Sequence, residues 1–427
     1  MQSWILPTIL FFVGLVPVVY FVVNARFSRR RSKNGRVPPS DPQAVTIIVP
    51  VHAEPIERFD SCLRSVVSQG SRVVVVGDGS YEPYASRTRA AGAEFLALPE
   101  QGGKKRALAA GLERVSTPFV LFVDSDTVLP EGGVRDLTRY FGPAVGGVGA
   151  NLLVRDTGTL AAGSAEFVER SREVVLRAMS SRGNVMYLDG ACMMFRTELI
   201  REFVRSPEFL DLKVLGRPSR LGDDWLLTDH VLSSGFRTVK AFDVGVMTEA
   251  PTTLSGFVRR NVRWARSSWI RFGRYLMGKG PQNPGRFYRL ELLGTYALPL
   301  VSLGVVLLRL PFILHGMQLW LGDTAMAARH AAPAMALRIP ATVRFHGVGL
   351  LQTAIGLVGT GTFLGAVADR LPRHRRLRTL ACGALGSGLL FVTMIYGLAT
   401  FWRSPAWRSP TGSPAPSTVP PSRPTRT

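Results

Sequence analysis

The sequence predicts an α/β domain on a mostly parallel sheet, joined to an α-helical transmembrane region of about four spans and an amphipathic interface helix. Three observations predict it. From Val45 onward, short apolar runs alternate with segments of helical period, the pattern of a sheet covered by helices on both faces. Four apolar stretches are long enough to cross a bilayer. The net charge of +22 over 427 residues is also unevenly placed. Residues 37–252 hold 24 Lys and Arg against 27 Asp and Glu, so the positive excess lies beside and between the apolar stretches.

The first stretch, from Trp4 to Val23, holds no charge, and six cations follow between Arg26 and Arg36. No basic segment precedes it and no small-residue cleavage pattern ends it, so residues 1–25 read as a retained anchor and 26–44 as a basic linker. The positive-inside rule then puts the N-terminus outside and the following domain in the cytoplasm, at a plasma membrane. Within residues 45–252, residues 45–51, 72–77 and 119–123 read as buried strands, and residues 56–68 and 104–115 as helices. Residues 253–285 carry seven cations and no acid. Their apolar members Leu254, Val258, Val262, Ala265, Trp269, Phe272 and Leu276 recur every three or four positions, which predicts a helix lying at the cytoplasmic membrane interface. Residues 286–402 hold three further spans, at about 292–314, 343–368 and 379–402. The basic loop between the last two is expected on the cytoplasmic side, and residues 403–427, rich in Pro, Ser and Thr, read as a disordered tail.

Acids stand where the predicted strands end. Four valines run into Gly77-Asp78-Gly79-Ser80, and Phe119 to Val123 runs into Asp124-Ser125-Asp126. In such sheets ligands gather at the carboxyl ends of the strands. Two carboxylates one residue apart can share a hard cation such as Mg²⁺ or Mn²⁺, which takes oxygen ligands and bridges to phosphates. Gly102-Gly103-Lys104-Lys105-Arg106 opens a helix with three cations in its first turn, a place that favours an anion. A basic surface helix reads equally well there, and the spacing is not that of a P-loop. Gly222-Asp223-Asp224-Trp225 sets two adjacent acids before a helix, where one Asp is often a cap and a second suits a general base.

Taken in chain order, eight segments are familiar: Val49-Pro50-Val51-His52-Ala53-Glu54, Gly77-Asp78-Gly79-Ser80, Gly103-Lys104, Asp124-Ser125-Asp126, Gly190-Ala191-Cys192-Met193-Met194-Phe195-Arg196, Gly222-Asp223-Asp224, Thr248-Glu249-Ala250-Pro251 and Arg263-Trp264. Together they resemble membrane-embedded family 2 glycosyltransferases, among them hyaluronan, chitin-oligosaccharide and cellulose synthases. The resemblance covers about residues 45–275. It implies a Rossmann-like GT-A fold and inverting, processive transfer from a UDP-sugar donor to a growing polysaccharide that leaves through the enzyme's own helices. It implies donor contacts for Asp78, Lys104, Asp124, Arg263 and Glu54. It implies Mg²⁺ or Mn²⁺ on Asp124 and Asp126, with Asp126 the direct ligand. Asp224 would be the catalytic base with Asp223 beside it, and Trp264, Gly190, Cys192 and Arg196 would face the acceptor.

Three positions depart from the family pattern. Gly77 replaces the first acid of the usual Asp-Asp-Gly-Ser, Arg260-Asn261 replaces a Gln-Gln pair before the Arg-Trp, and Trp225 stands where hyaluronan synthases have Arg. A rival reading is non-processive transfer to a lipid acceptor such as a polyprenyl phosphate, though such enzymes generally lack the Gly-Asp-Asp and Arg-Trp pairs. Nucleic acid is excluded as a partner because residues 37–252 are net negative and offer no basic patch. Three widely spaced Cys exclude a disulfide framework and a zinc ribbon. The preference for Arg over Lys points to a bacterial source.

Overall fold

The computed structural model describes residues 5–30, 35–327 and 341–403. After the N-terminal helix α1 (Ile5–Ser28), strands and helices alternate: β1 (Val45–Val51), α2 (Ile56–Val67), β2 (Arg72–Asp78), α3 (Tyr84–Ala90), β3 (Glu94–Leu98), α4 (Lys104–Leu112), β4 (Phe119–Val123), α5 (Gly133–Thr138) and β5 (Val145–Val154). The domain continues through α6 (Leu160–Arg182), β6 (Cys192–Arg196), α7 (Thr197–Arg205), α8 (Pro207–Leu210), a small hairpin β7 (Lys213–Val214) and β8 (Arg217–Pro218), α9 (Asp223–Ser233) and β9 (Arg237–Thr248). It ends in α10 (Leu254–Leu276), α11 (Arg286–Ala327), α12 (Ala341–Ala368) and α13 (Arg376–Leu398). The strands and helices expected within residues 45–252 form, within three residues of their predicted ends.

Seven strands make one sheet in the order β3-β2-β1-β4-β6-β5-β9. β1 pairs in parallel with β2 and β4, and β5 with β9, while β6 alone runs against both of its neighbours. The period of two along each strand supplies two cores. Ile48, Val74, Val76, Val120 and Phe122 pack on one side with Leu108 of α4, Ile200 of α7 and Leu227 of α9. Ile47, Val49, Val75, Leu121 and Val123 pack on the other with Phe59 and Cys62 of α2 and Leu137 of α5. Each such side chain contributes about 1.5–3 kcal/mol on burial. The purpose served here is rigidity: the carboxyl ends of β1, β2 and β4 lie side by side on a close-packed platform.

Among the described residues, two helices have a stretch long and apolar enough to cross a membrane, Phe11–Ser28 and Arg373–Leu398, with a shorter apolar stretch at Ala354–Ala368. Four spans were expected. α11 is a single helix of 42 residues that runs on past the expected end of its span. The expected disordered tail lies outside the described residues, apart from residue 403, as do Arg31 and Lys33 of the basic linker. α1 and α12 meet through Phe21 and Phe363, whose ring centroids are 5.0 Å apart, and Arg29 pairs with Asp369 at 3.0 Å. Asp156, on the loop between β5 and α6, binds Arg378 at 2.6 Å and Arg375 at 3.4 Å. The sheet domain is thus docked on the loop that the charge pattern placed in the cytoplasm.

The stripe predicted on α10 is real; Ala265 and Trp269 in its middle are covered by protein, while Leu254 and Leu276 at its ends are exposed. Phe257 and Leu390 share one apolar cluster, Trp269 donates its indole N–H to the Met394 carbonyl at 2.8 Å, and Arg266 reaches the Thr400 hydroxyl at 3.0 Å. This part of the helix packs against α13, where a Trp N–H and an Arg head both find protein acceptors.

Candidate active site

Lys104 is the hub of the site. It starts α4, and its Nζ lies 2.6 Å from Asp124 Oδ1, 2.8 Å from Asp223 Oδ2 and 3.1 Å from the Gly190 carbonyl to which it donates. Three separate parts of the chain meet on one ammonium. Burial alone would lower its proton affinity, and the two carboxylates more than reverse that, so Lys104 stays charged. The same pairing acts on its partners. Burial raises Asp223 and Lys104 outweighs it, leaving Asp223 below the usual carboxylate range.

Asp224, next along α9, is in a different state. Burial and the neighbouring Asp223 charge push it up to about 6, against the pull of the Trp225 N–H bond at 2.8 Å. The adjacent acids therefore separate into one held as an anion and one poised to exchange a proton near neutrality, which is the division of labour acid–base sites show. Gly222 makes the turn that places them: its φ is 89°, and a Cβ there would lie 2.4 Å from the Trp225 indole. Trp225 is itself pinned, donating to Ser267 Oγ of α10 at 3.0 Å. Below it on α9, Asp229 receives two hydrogen bonds from Arg271 of α10, at 2.6 and 3.2 Å.

Asp124 and Asp126 follow β4, and both act on Glu54 from the loop after β1. Burial raises all three, Glu54 to about 8, and the nearby acids raise Glu54 and Asp124 further. Glu54 Oε1 is buried without a hydrogen-bond partner among the described residues, with Arg58 3.8 Å away. Asp124 is engaged by Lys104, whereas Asp126 forms no ion pair among the described residues. Crowded carboxylates of this kind fit a cation. Among the described residues no three His, Cys, Asp or Glu gather closely enough to hold a metal alone. One or two carboxylates completed by substrate phosphate is the usual arrangement for Mg²⁺.

Asp78 sits behind this cleft rather than in it. It is fully buried, and its two oxygens accept the N–H groups of Gly102 at 2.7 Å and Gly103 at 2.9 Å, so it shapes the loop that delivers Lys104. His52 joins the same support, its Nδ1 2.7 Å from the Asp78 carbonyl and its Nε2 3.0 Å from Gln101. The departure at Gly77 has a steric cause. A Cβ there would lie 2.1 Å from the Ser80 carbonyl oxygen and 2.6 Å from Phe95, which fills the space a first acid would need.

The acceptor residues expected from the Gly190–Arg196 segment divide. Gly190 is at the centre, against Lys104 and Asp223. Cys192 is 1 % exposed and packs in the core shared with α2, so it is corrected to a packing residue. Arg196 is also corrected. Because β6 is antiparallel, Val123 pairs with Cys192 but Phe119 with Arg196, which carries Arg196 about 13 Å from the site to the opposite sheet edge. It binds the Val145 and Gly142 carbonyls there, at 2.9 and 3.1 Å.

Arg263 is exposed on α10. Trp264 is partly buried and carries two guanidinium groups on its ring, Arg260 at 4.7 Å and Arg172 at 5.2 Å from the centroid. Behind it lies a buried ionic layer that the sequence reading missed. Arg172 of α6 binds Glu169 and Asp189, and Lys240 of β9 also binds Asp189. The signal was present as Glu and Arg three and four apart along α6, a pattern that normally marks a solvated face.

A sheet of this order, with acids at the strand ends and a Gly-Asp-Asp turn facing them, defines a GT-A-type α/β domain. Residues 42–267 match the family described as Glycosyltransferase like family 2, and the chain belongs to that family. Curated relatives are N-acetylglucosaminyltransferases of rhizobia. That of Rhizobium sp. (strain N33) is 33% identical over 244 residues, 53% of this chain and 53% of the relative. That of Rhizobium meliloti (strain 1021) is 34% identical over 242 residues, 53% and 56% of the two chains. That of Rhizobium leguminosarum bv. viciae is 31% identical over 303 residues, 66% and 69%. The chain spans about half the length of the first of these relatives. Among solved structures, the mannosyltransferase PcManGT from Pyrobaculum calidifontis in complex with GDP-Man and Mn²⁺ shares the fold, with a TM-score of 0.54 at 19% identity over 84% of this chain and 98% of that one.

Proposed function

We propose that this protein transfers a sugar, N-acetylglucosamine by likeness to its relatives, from a UDP-sugar to a growing glycan at a bacterial plasma membrane, and passes the product out between its own helices. The observation that carries the reading is the Lys104 bridge between Asp124 and Asp223, which sets Asp224 beside the strand ends with its proton affinity near neutrality.

Asp224 takes the proton of the acceptor hydroxyl as that oxygen bonds to the anomeric carbon and the bond to UDP breaks. Attack from the face opposite the leaving group inverts the anomeric centre. Lys104 and Arg263 offset the charge that develops on the diphosphate. Asp126 and Asp124 would hold Mg²⁺ or Mn²⁺, which when bound neutralises the same phosphates. Glu54 lines that pocket, and Asp78 keeps the Lys104 loop in place. Gly190 leaves room for the acceptor, and the Trp264 edge borders it.

Processivity is supported by the docking of the catalytic domain on the loop before α13 and by the packing of α10 against α13. The test is product size under conditions of one initiation per enzyme. Long chains support processive synthesis, and a single sugar on an extractable lipid contradicts it.

A further inference from the structure

The ionic layer under the cleft is almost fully paired. Arg170 binds Glu166 and Glu173, Arg177 binds Glu173, Arg172 binds Glu169 and Asp189, and Lys240 binds Asp189. These four cations share four acids, and Arg260 beside them forms no ion pair among the described residues. Its Nε and Nη2 are buried and have no hydrogen-bond partner among the described residues, although its guanidinium lies over the Trp264 ring at 4.7 Å. A ring face offers no acceptor for in-plane N–H groups, so cation–π contact leaves those donors unsatisfied. Buried donors of a charged group that lack acceptors are costly and rarely retained without a use. The unpaired donors, on a guanidinium that joins none of these ion pairs, thus point to an anionic ligand. Arg260 is also one of the positions that departs from the neutral Gln of the related synthases.

We propose that Arg260 receives an oxyanion of the substrate beside Trp264, either the carboxylate of an acidic sugar in the acceptor or a phosphate of the donor. The inference rests on the sugar-transfer reading of the cleft. A planar guanidinium accepts either group through paired N–H donors, and Arg172, tied to two acids, is not free to do so. The acids that act most on Arg260 are Glu169, already bound to Arg172, and Asp126, on the side of the strand ends.

The test is calorimetric binding to the full chain, in wild type, Arg260→Gln and Arg260→Lys. The probes are an oligosaccharide ending in glucuronic acid, its carboxyl-reduced counterpart and inorganic pyrophosphate. One oxyanion probe is expected to lose about tenfold or more in affinity with Gln and less with Lys. A loss confined to the glucuronate probe assigns the acceptor, and a loss confined to pyrophosphate assigns the donor. The unliganded Arg260→Gln protein should melt no lower than wild type, because an unpaired buried charge has been removed. A lower melting temperature with unchanged affinities, or no binding of either oxyanion to wild type, overturns the inference. Nucleotide release by wild type from sugar donors is read separately. If it fails on every donor, the sugar-transfer reading falls, whereas active wild type with unaltered Arg260→Gln binding sinks only the role of Arg260.

Discussion

Lys104 and Asp223, on two different helices, lie 2.8 Å apart in a partly buried ion pair. The pair explains why adjacent acids at the start of α9 behave differently. Lys104 stabilises the charge of Asp223, and that retained charge, together with burial, raises Asp224. Replacing Lys104 with Met is expected to cost about 1–3 kcal/mol, since two partly buried carboxylates lose their counter-ion. Chemical denaturation measures it. Loss of less than 1 kcal/mol would mean that the site relaxes without the bridge.

Asp224 predicts the acid limb of the pH–rate profile. The base must be unprotonated to accept a proton, and its pKa is raised to about 6. Turnover should therefore be full above pH 7, fall through pH 6 and drop tenfold per unit below about pH 5. Asp224→Asn should abolish turnover and leave donor binding intact. A limb centred near 4 would show that Asp224 is exposed in the working enzyme or is not the base.

The departure at Gly77 makes a steric prediction. Gly77→Asp should destabilise the protein by about 1–3 kcal/mol, because Phe95 and the Ser80 carbonyl occupy the space. Phe95→Ala should be partly compensating in the double variant, measured by thermal melting. Strict additivity of the two changes would rule out the clash as the cause.

α9 and α10 are joined by Asp229 and Arg271, the latter 4 % exposed. Arg271→Leu alone should cost about 3–5 kcal/mol, and the pair Asp229→Leu with Arg271→Leu much less, since no lone buried charge remains. A double-mutant cycle reads the coupling. Turnover should fall in both, because Asp224 sits on the same helix.

The strand ends were legible because an apolar run stops at an acid: Phe119 to Val123 before Asp124, and Val73 to Val76 before Asp78. Which of those acids faces the cleft was not, since the Asp78 carboxylate turns to the Gly102 and Gly103 N–H groups, a contact across the loop. Strand direction was equally hidden. Reading Gly190 to Arg196 as one functional unit placed Arg196 at the site, and the reversal of β6 takes it to the other edge. The charges of α6 look solvent-facing in sequence, and only the packing of α1, α13, β5 and β9 around that helix buries Glu169, Arg170 and Glu173. On α10 the apolar period was clear, but its partner, α13, lies more than a hundred residues on.

The most direct test of the central claim is nucleotide release by the purified full chain from UDP-N-acetylglucosamine, with Mn²⁺ or Mg²⁺, compared with Asp224→Asn. The account predicts UDP release that requires the divalent ion and disappears in Asp224→Asn while calorimetry still detects donor binding. Undiminished UDP release by Asp224→Asn, or none from wild type with this or any other UDP-sugar, would contradict it.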